Sequence, residues 1–473
     1  MSNLIKAIQQ NNPTGLTANG AVTHETSYSA CVDFFAIGAS SRGKDISKLF
    51  NEALCEAPEV ALRILQWVRD VRGGAGERQT FRDLFTDLVN KDLGTARRIL
   101  VKIPELGRWD DVLVAINTPL EPEAIRLVSA GLNTPETASI CAKWMPRQGE
   151  VAYKLRNGLG MTPKGWRKML VALSNTVEQK MCAQQWHEIE YGKLPSKAAA
   201  NYQKAFERND GNRYMLYREG LVAGTEKINA GAIFPHDVIL SAKKGNDTVA
   251  TAQWEALPNY MEESQERILP LVDVSYSMTC PVGGSTSINC MDAAVALGLY
   301  TSERMSGPFA GYFINFHTTP QLIKVGGGSL GEKVKRMEQA PWGGSTNFQA
   351  AMNLILQSAV KNNLTQDDLP TMILVLSDME FNQAESSFYS RGSGKTNFQT
   401  IKDSFEAAGY TMPKLIFWNL NGRVGNSAAT IHDENVALVS SFSPAILKSV
   451  LSAKTVTPID IMMEAVMIDR YEF

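Results

Sequence analysis

From Tyr28 to about Tyr217 the apolar residues recur at spacings of three and four: Ile46, Leu49, Phe50 and Leu54, then Leu62, Leu65 and Val68, then Phe81, Leu84, Phe85 and Leu88. That spacing gathers them on one face of a helix. Short breakers separate the runs, at Ala57-Pro58, Gly73-Gly74, Leu93-Gly94, Thr118-Pro119, Asn133-Thr134-Pro135, Met161-Thr162-Pro163 and Leu194-Pro195. Amphipathic helices joined by short connections predict an antiparallel array of the HEAT type. The absence of a fixed sequence period keeps an irregular helical bundle as the alternative. Past residue 266 the pattern changes. Apolar runs at 267–274, 309–316, 321–325, 371–376 and 414–420 read as strands, and they alternate with helical spacing at 291–305, 347–361, 397–408, 444–451 and 459–466. Strands apolar on both faces and alternating with helices predict a doubly wound, mostly parallel sheet. The chain thus divides into a polar arm (1–26), a helical region (27–250), an acidic connector (251–266) and an α/β domain (267–473).

Composition removes several function classes. Of 473 residues, 44 % are apolar and 20 % charged, which excludes disorder and fibrous repeats. Lys and Arg number 47 against 49 Asp and Glu, so a nucleic-acid site would have to come from local clustering. Six scattered Cys, without CxxC or zinc spacing, predict reduced thiols and no zinc site. The start MSNLIKAIQQNNPTG lacks the order of a secretory signal, and no apolar run is long enough to span a bilayer, so a cytoplasmic chain is expected.

The chemistry concentrates at strand ends of the α/β domain. Asp273, Ser275 and Ser277 form a DxSxS sequence after the first strand, Thr346 follows two glycines in GGSTNF, and Asp378 ends TMILVLSD. Ligand sites of doubly wound sheets lie at such ends, near a topological switch point. A polar turn is the plain alternative for DxSxS on its own, since Asp and Ser are common turn formers. The combination resembles the metal-ion-dependent adhesion site of the von Willebrand factor A domain. The resemblance implies that the hydroxyls of Ser275, Ser277 and Thr346 bind Mg²⁺ or another divalent cation directly, while Asp273 and Asp378 hold its waters. Magnesium prefers such hard oxygen donors and leaves a vertex for an incoming carboxylate. An insertion at 279–289, flanked by Cys280 and Cys290, is expected to lie over this site, with both cysteines as free thiols. Glu380 reads as a surface residue.

Two phosphate loops fail. RGSGKT at 391–396 has Tyr389 where the first glycine of a P-loop belongs, and GGAGER at 73–78 lies between helices. No His pairs with an activated Ser or Cys by spacing, so a non-catalytic protein is expected. Between 143 and 218, however, 14 Lys and Arg face 6 acids, interleaved with aromatics such as Trp144, Tyr153, Trp166, Tyr191 and Tyr214. Basic residues beside stacking rings suit single-stranded RNA, whereas the plain alternative is interhelical core with solvated charges. The candidates are Lys143, Arg147, Lys154, Arg156, Lys164, Arg167 and Lys168, together with Arg69, Arg72 and Arg78 around the glycine loop. The stretch VRDVRGGAGER (68–78), with a helical array and an adhesion-type A domain, resembles the Ro autoantigen family and its TROVE ring. The segments KWMPRQG (143–149), 181–214, INAGAIFPHDV (228–238) and SDMEFNQAE (377–385) resemble more closely an uncharacterised family of phage, plant and fungal proteins with the same layout. The Ro resemblance implies an RNA-binding helical ring locked by a metal-binding domain. The competing expectation is a scaffold, of phage type, that captures a partner carboxylate at the metal.

Overall fold

The computed structural model describes residues 14–245, 247–262, 264–282, 288–316, 318–338, 344, 346–382, 396–453 and 455–473. Residues 1–13 of the arm, 283–287 of the insertion, and 391–395 of RGSGKT lie outside the described residues, as do Gly343 and Ser345 of GGSTNF.

The N-terminal region is helical, and several of the breakers in the sequence prove to be helix starts. Pro58, Pro135 and Pro163 each open a helix, at a position whose backbone N–H has no intrahelical partner to lose. Thr162 adds a side-chain cap, accepting from Gly165 N at 3.1 Å, and Asp92 does the same for Thr95 N at 3.0 Å. Neighbouring helices pack on one another along much of this region. Helices Pro235–Lys243 and Asp247–Glu255 extend it, so the expected connector at 251–266 begins inside a helix.

The C-terminal region forms a six-stranded sheet from β3 (Ile268–Asp273), β4 (Tyr312–Phe316), β5 (Gln321–Lys324), β6 (Met372–Ser377), β7 (Lys414–Asn419) and β8 (Val436–Ser440), ordered β5-β4-β3-β6-β7-β8. All pairings are parallel except the hairpin of β4 with edge strand β5. Every residue of β3, β6 and β8 is buried, which explains their unbroken apolar runs. Helix Cys290–Arg304 packs against β3, β4 and β6. Gly298 makes this approach possible, since a Cβ there would sit 2.4 Å from Val272 Cγ2.

The two regions share one core. Helix Ala30–Gly38, from the start of the helical region, packs on β7 and β8, and a continuous apolar cluster joins Phe35 and Trp67 to Trp418 and Val439. The described part of the polar arm, from Thr14 on, is held by its own chain: β1 (Thr14–Leu16) and β2 (Val22–His24) form a hairpin, and His24 exchanges backbone hydrogen bonds with Ser427 at 3.1 and 2.8 Å. No helix among the described residues is long and apolar enough to cross a membrane.

Candidate functional site

The sheet order turns at β3. Strands β4 and β5 extend it to one side, while β6, β7 and β8 extend it to the other. The carboxyl ends of β3 and β6 therefore meet at the switch point of the sheet, the place where such folds open a crevice. Val272 pairs with Leu376, so the next residues, Asp273 and Ser377, stand side by side, and the Ser377 hydroxyl donates to Asp273 Oδ2. Asp273 Oδ1 accepts from Ser275 N at 2.9 Å, which folds the DxSxS turn and brings the Ser275 and Ser277 hydroxyls within 3.0 Å of each other. Thr346 joins through backbone. Tyr276 N donates to Gly344 O at 3.5 Å, and Asn382 ties the Thr346 loop to the segment after β6, giving its backbone N–H to Thr346 O (2.9 Å) and accepting from Thr346 N at Oδ1 (3.1 Å). The structure thus gathers Asp273, Ser275, Ser277, Thr346 and Asp378 at one rim. Directly after Asp378, Met379 takes the left-handed conformation with φ of 64°, unfavourable for a side chain with a Cβ and typical of functional turns.

The electrostatics fit a cation. Burial, and then repulsion from Asp378, push the Asp273 carboxyl up to about 7. Burial likewise raises Asp378, opposed by the hydrogen bond from Glu380 N and reinforced by the Glu380 charge. Asp378 Oδ2 is buried and has no hydrogen-bond partner among the described residues. Two crowded buried carboxylates, one with an orphan oxygen, beside three hydroxyls form a donor set that a divalent ion would neutralise and complete. No cluster of three or more His, Cys, Asp or Glu suited to a metal occurs among the described residues.

Glu380 departs from expectation. It is buried rather than on the surface, and it forms the anchor of the arm: its carboxylate accepts from Ala18 N (2.5 Å), Arg423 (2.8 Å) and Asn426 (3.3 Å). The Asn19 carboxamide donates to Glu380 O at 2.5 Å and reaches Thr346 Oγ1 at 3.5 Å, so the arm lies against one edge of the site. Asn19, Asn382 and Arg423 were missed from sequence, because single polar residues in loops carry no local signal of a distant partner.

The basic candidates divide. Arg69 is buried in an ion pair with Asp111 and is therefore withdrawn from any ligand. Asp70 holds Arg470 (2.5 Å) and the Tyr471 hydroxyl (3.0 Å), Glu77 holds Arg42, and exposed Arg72 donates to Glu105 O at 3.0 Å. The glycine loop is accordingly a structural joint. Gly74 fits only because a Cβ would meet Trp67 O at 2.1 Å. Arg78 is half-buried beside Arg82 and Arg108, whose charges lower its pKa after burial does. In the basic tract Lys143 pairs with Glu178 and Lys154 with Glu121. Arg156 lies over the Tyr153 ring at 4.8 Å. Arg147, Lys164, Arg167 and Lys168 are exposed. Most of the aromatics fill core. Trp166 is fully buried, and Tyr191, Phe206, Tyr214 and Tyr217 form a second apolar cluster, with Tyr191 centred 5.0 Å from Tyr214. Tyr153, 52 % exposed, is the ring of the tract most open to solvent.

Comparison with known proteins matches both regions to domain families of unknown function. Residues 268–469 match the family DUF7788, and residues 17–96 and 161–266 match DUF2828. Across 94 % of its length the chain is 30 % identical to the uncharacterized protein L728 of Acanthamoeba polyphaga mimivirus, covering 86 % of that protein.

Proposed function

Taking as premise that the chain belongs to the family of the mimivirus protein L728, we propose that it is a non-catalytic binding protein whose C-terminal domain is of the von Willebrand factor A type. Its site holds Mg²⁺ through the Ser275, Ser277 and Thr346 hydroxyls, with Asp273 and Asp378 hydrogen-bonded to the ion's waters. The observation that carries this reading is the convergence of these five side chains at the switch point, with Asp378 Oδ2 lacking a hydrogen-bond partner among the described residues. When bound, the ion supplies an electrophilic vertex for an oxyanion, and neutral hydroxyl donors leave it more charge than direct carboxylates would. The chain's own part is to hold those hydroxyls in place: Asp273 fixes the Ser275 turn, and Asn382 fixes Thr346. The ligand class is a carboxylate on a partner protein. The helical region is then a HEAT-like scaffold joined to this domain, as in the Ro layout. Mn²⁺ replacing Mg²⁺ tests the reading by electron paramagnetic resonance. One ion per chain, displaced by Mg²⁺, perturbed by an Asp-containing peptide and lost in Ser275→Ala, is the expected result. An unchanged spectrum on adding the peptide contradicts carboxylate capture.

A second reading, RNA binding, is favoured by one specific observation. Arg147, Lys164, Arg167 and Lys168 are exposed, and the Trp166 indole donates to Pro146 O at 3.0 Å, which seats the segment of Arg147 beside the helix carrying the other three. Four phosphate contacts to a single strand predict a log-affinity slope against log-salt of about −3. Fluorescence anisotropy with an oligoribonucleotide measures it. Replacing the four residues by Ala should flatten the slope, and salt-independent or absent binding contradicts the reading.

A further inference from the structure

The insertion between the DxSxS turn and helix Cys290–Arg304 has a built neck. Pro281 and Asn289 form an antiparallel bridge, Val282 N donates to Ile288 O at 3.0 Å, and Cys290 N donates to Cys280 O at 3.0 Å. This register sets Cys280 opposite Cys290. Directly opposed residues in an antiparallel pair have Cα atoms about 5.5 Å apart, inside the range a disulfide spans. The two sulfurs are 3.4 Å apart. Cys290 is buried and receives no solvent, whereas Cys280 is half-buried at the outer side of the pair. Polar groups converge on Cys280: Asn421 Nδ2 donates to its sulfur at 3.4 Å, and Lys44 Nζ in turn donates to Asn421 Oδ1 at 2.6 Å. Of the other cysteines, Cys31 and Cys141 are buried and Cys55 and Cys182 exposed, all in the helical region.

We propose that Cys280 and Cys290 are a redox-active dithiol whose reversible disulfide clamps the neck of the insertion beside the DxSxS turn. Cys280 is the attacking thiol and Cys290 the resolving one. With glutathione disulfide as oxidant, Cys280 sulfur attacks one glutathione sulfur, the glutathione S–S bond breaks, and one glutathione thiol leaves with the proton Cys280 gave up. Cys290 sulfur then attacks Cys280 sulfur in the mixed disulfide, releasing a second glutathione that carries the Cys290 proton. The protein pair is oxidised by two electrons, and glutathione disulfide is reduced to two thiols. Oxidation draws the sulfurs from 3.4 Å to about 2.0 Å. Because Cys280 N donates to Ser277 O at 3.3 Å, the crosslink also stiffens the turn that presents Ser277. The redox pair stands whether or not the site binds a metal.

The test is thiol mapping of the full chain, equilibrated in glutathione buffers of increasing oxidised fraction, acid-quenched, alkylated and analysed by peptide mass spectrometry. The expected result is joint loss of alkylation at Cys280 and Cys290, one intramolecular crosslinked peptide, and full reversal by dithiothreitol. In Cys290→Ser a glutathione adduct should accumulate on Cys280 at least tenfold above its wild-type level, since no resolving thiol remains. The proposal is overturned if Cys280 and Cys290 stay alkylatable under buffers that already glutathionylate Cys55 and Cys182, or if Cys280 crosslinks to another cysteine. The wild-type map decides this even if the variant does not fold.

Discussion

Asp273 is fully buried, close to a second buried carboxylate, and held by two hydrogen bonds that do not neutralise its charge. Such a residue costs stability in the ion-free protein and repays it when a cation binds. Added Mg²⁺ should therefore raise the melting temperature. At a concentration a hundredfold above the dissociation constant, binding to the folded state alone stabilises by about 2.7 kcal/mol. Asp273→Asn should abolish this gain while leaving the ion-free melting temperature equal or higher, as differential scanning fluorimetry with and without a chelator would show. Arg69 makes the opposite case. Its burial against Asp111 predicts that Arg69→Ala lowers stability by about 1–3 kcal/mol in urea denaturation, because Asp111 loses one of its two ionic partners and keeps only Arg82. A surface phosphate ligand would instead be nearly silent. At this scale the site was legible because Asp273, Ser275 and Asp378 interrupt or follow apolar runs, where polar residues stand out, and because Thr346 follows two glycines ahead of a helical pattern. Arg69 was not, because a basic residue at the end of a helix, just ahead of a glycine loop, reads the same whether it faces solvent or an acid 42 positions away.

Among the elements, the arm shows where periodicity stops informing. Its Asn, Thr and Gly carry no apolar pattern, yet Thr17 Oγ1 donates to Phe381 O at 2.6 Å and Ala18 N to Glu380, across more than 360 residues. Glu380→Ala removes that anchor and Arg423's partner. Limited proteolysis should then cut within residues 14–24 at least several-fold faster than in the wild type, while equal rates would remove Glu380 from this role. The strands and helices of the C-terminal half were largely readable, since buried parallel strands are short apolar runs. β8 was missed, as VALVS is brief and set among polar loops, and so was helix Leu330–Glu338, whose charged face masks its apolar stripe. Helix Pro235–Lys243 adds a pH effect. His236 is buried, its ring set 5.7 Å from Phe234 and 5.9 Å from Phe442, with Asp237, Lys197, Arg42 and Asp292 as the charged groups around it. Burial lowers its pKa below 6.5, against the opposing pull of Asp237. Below pH 6.5 the unfolded chain takes up a proton that the folded chain refuses, so stability falls as pH falls, by at most about 1.4 kcal/mol per pH unit from this group. His236→Gln should flatten the urea-midpoint profile between pH 7 and pH 5.5, and an unchanged slope would exclude His236 as its source.

For the whole molecule, the chain's two ends lock the halves together. Helix Ala30–Gly38 covers β7 and β8, while the C-terminal tail returns to the helical region, where Arg470 and Tyr471 meet Asp70, Gln66 Nε2 donates to Tyr471 O at 2.9 Å and Arg63 donates to Ile468 O at 3.0 Å. A main apolar core that runs unbroken from the helical region into the sheet predicts one cooperative calorimetric transition. Removing residues 470–473 should lower its midpoint by several degrees without splitting it, whereas two separate transitions would show independent domains. This interlock could not be read from sequence, where the change from helical to alternating pattern near residue 267 looks like a boundary between separate bodies. It makes the rim of Asp273, Ser275, Ser277, Thr346 and Asp378 part of a rigid frame fixed from both ends of the chain. Isothermal titration of Mg²⁺ into the ion-free full-length protein tests that rim most directly. The account predicts one ion per chain in the wild type and none in Asp273→Asn or Ser275→Ala. Absence of binding in the wild type, or equal binding in the variants, would contradict it.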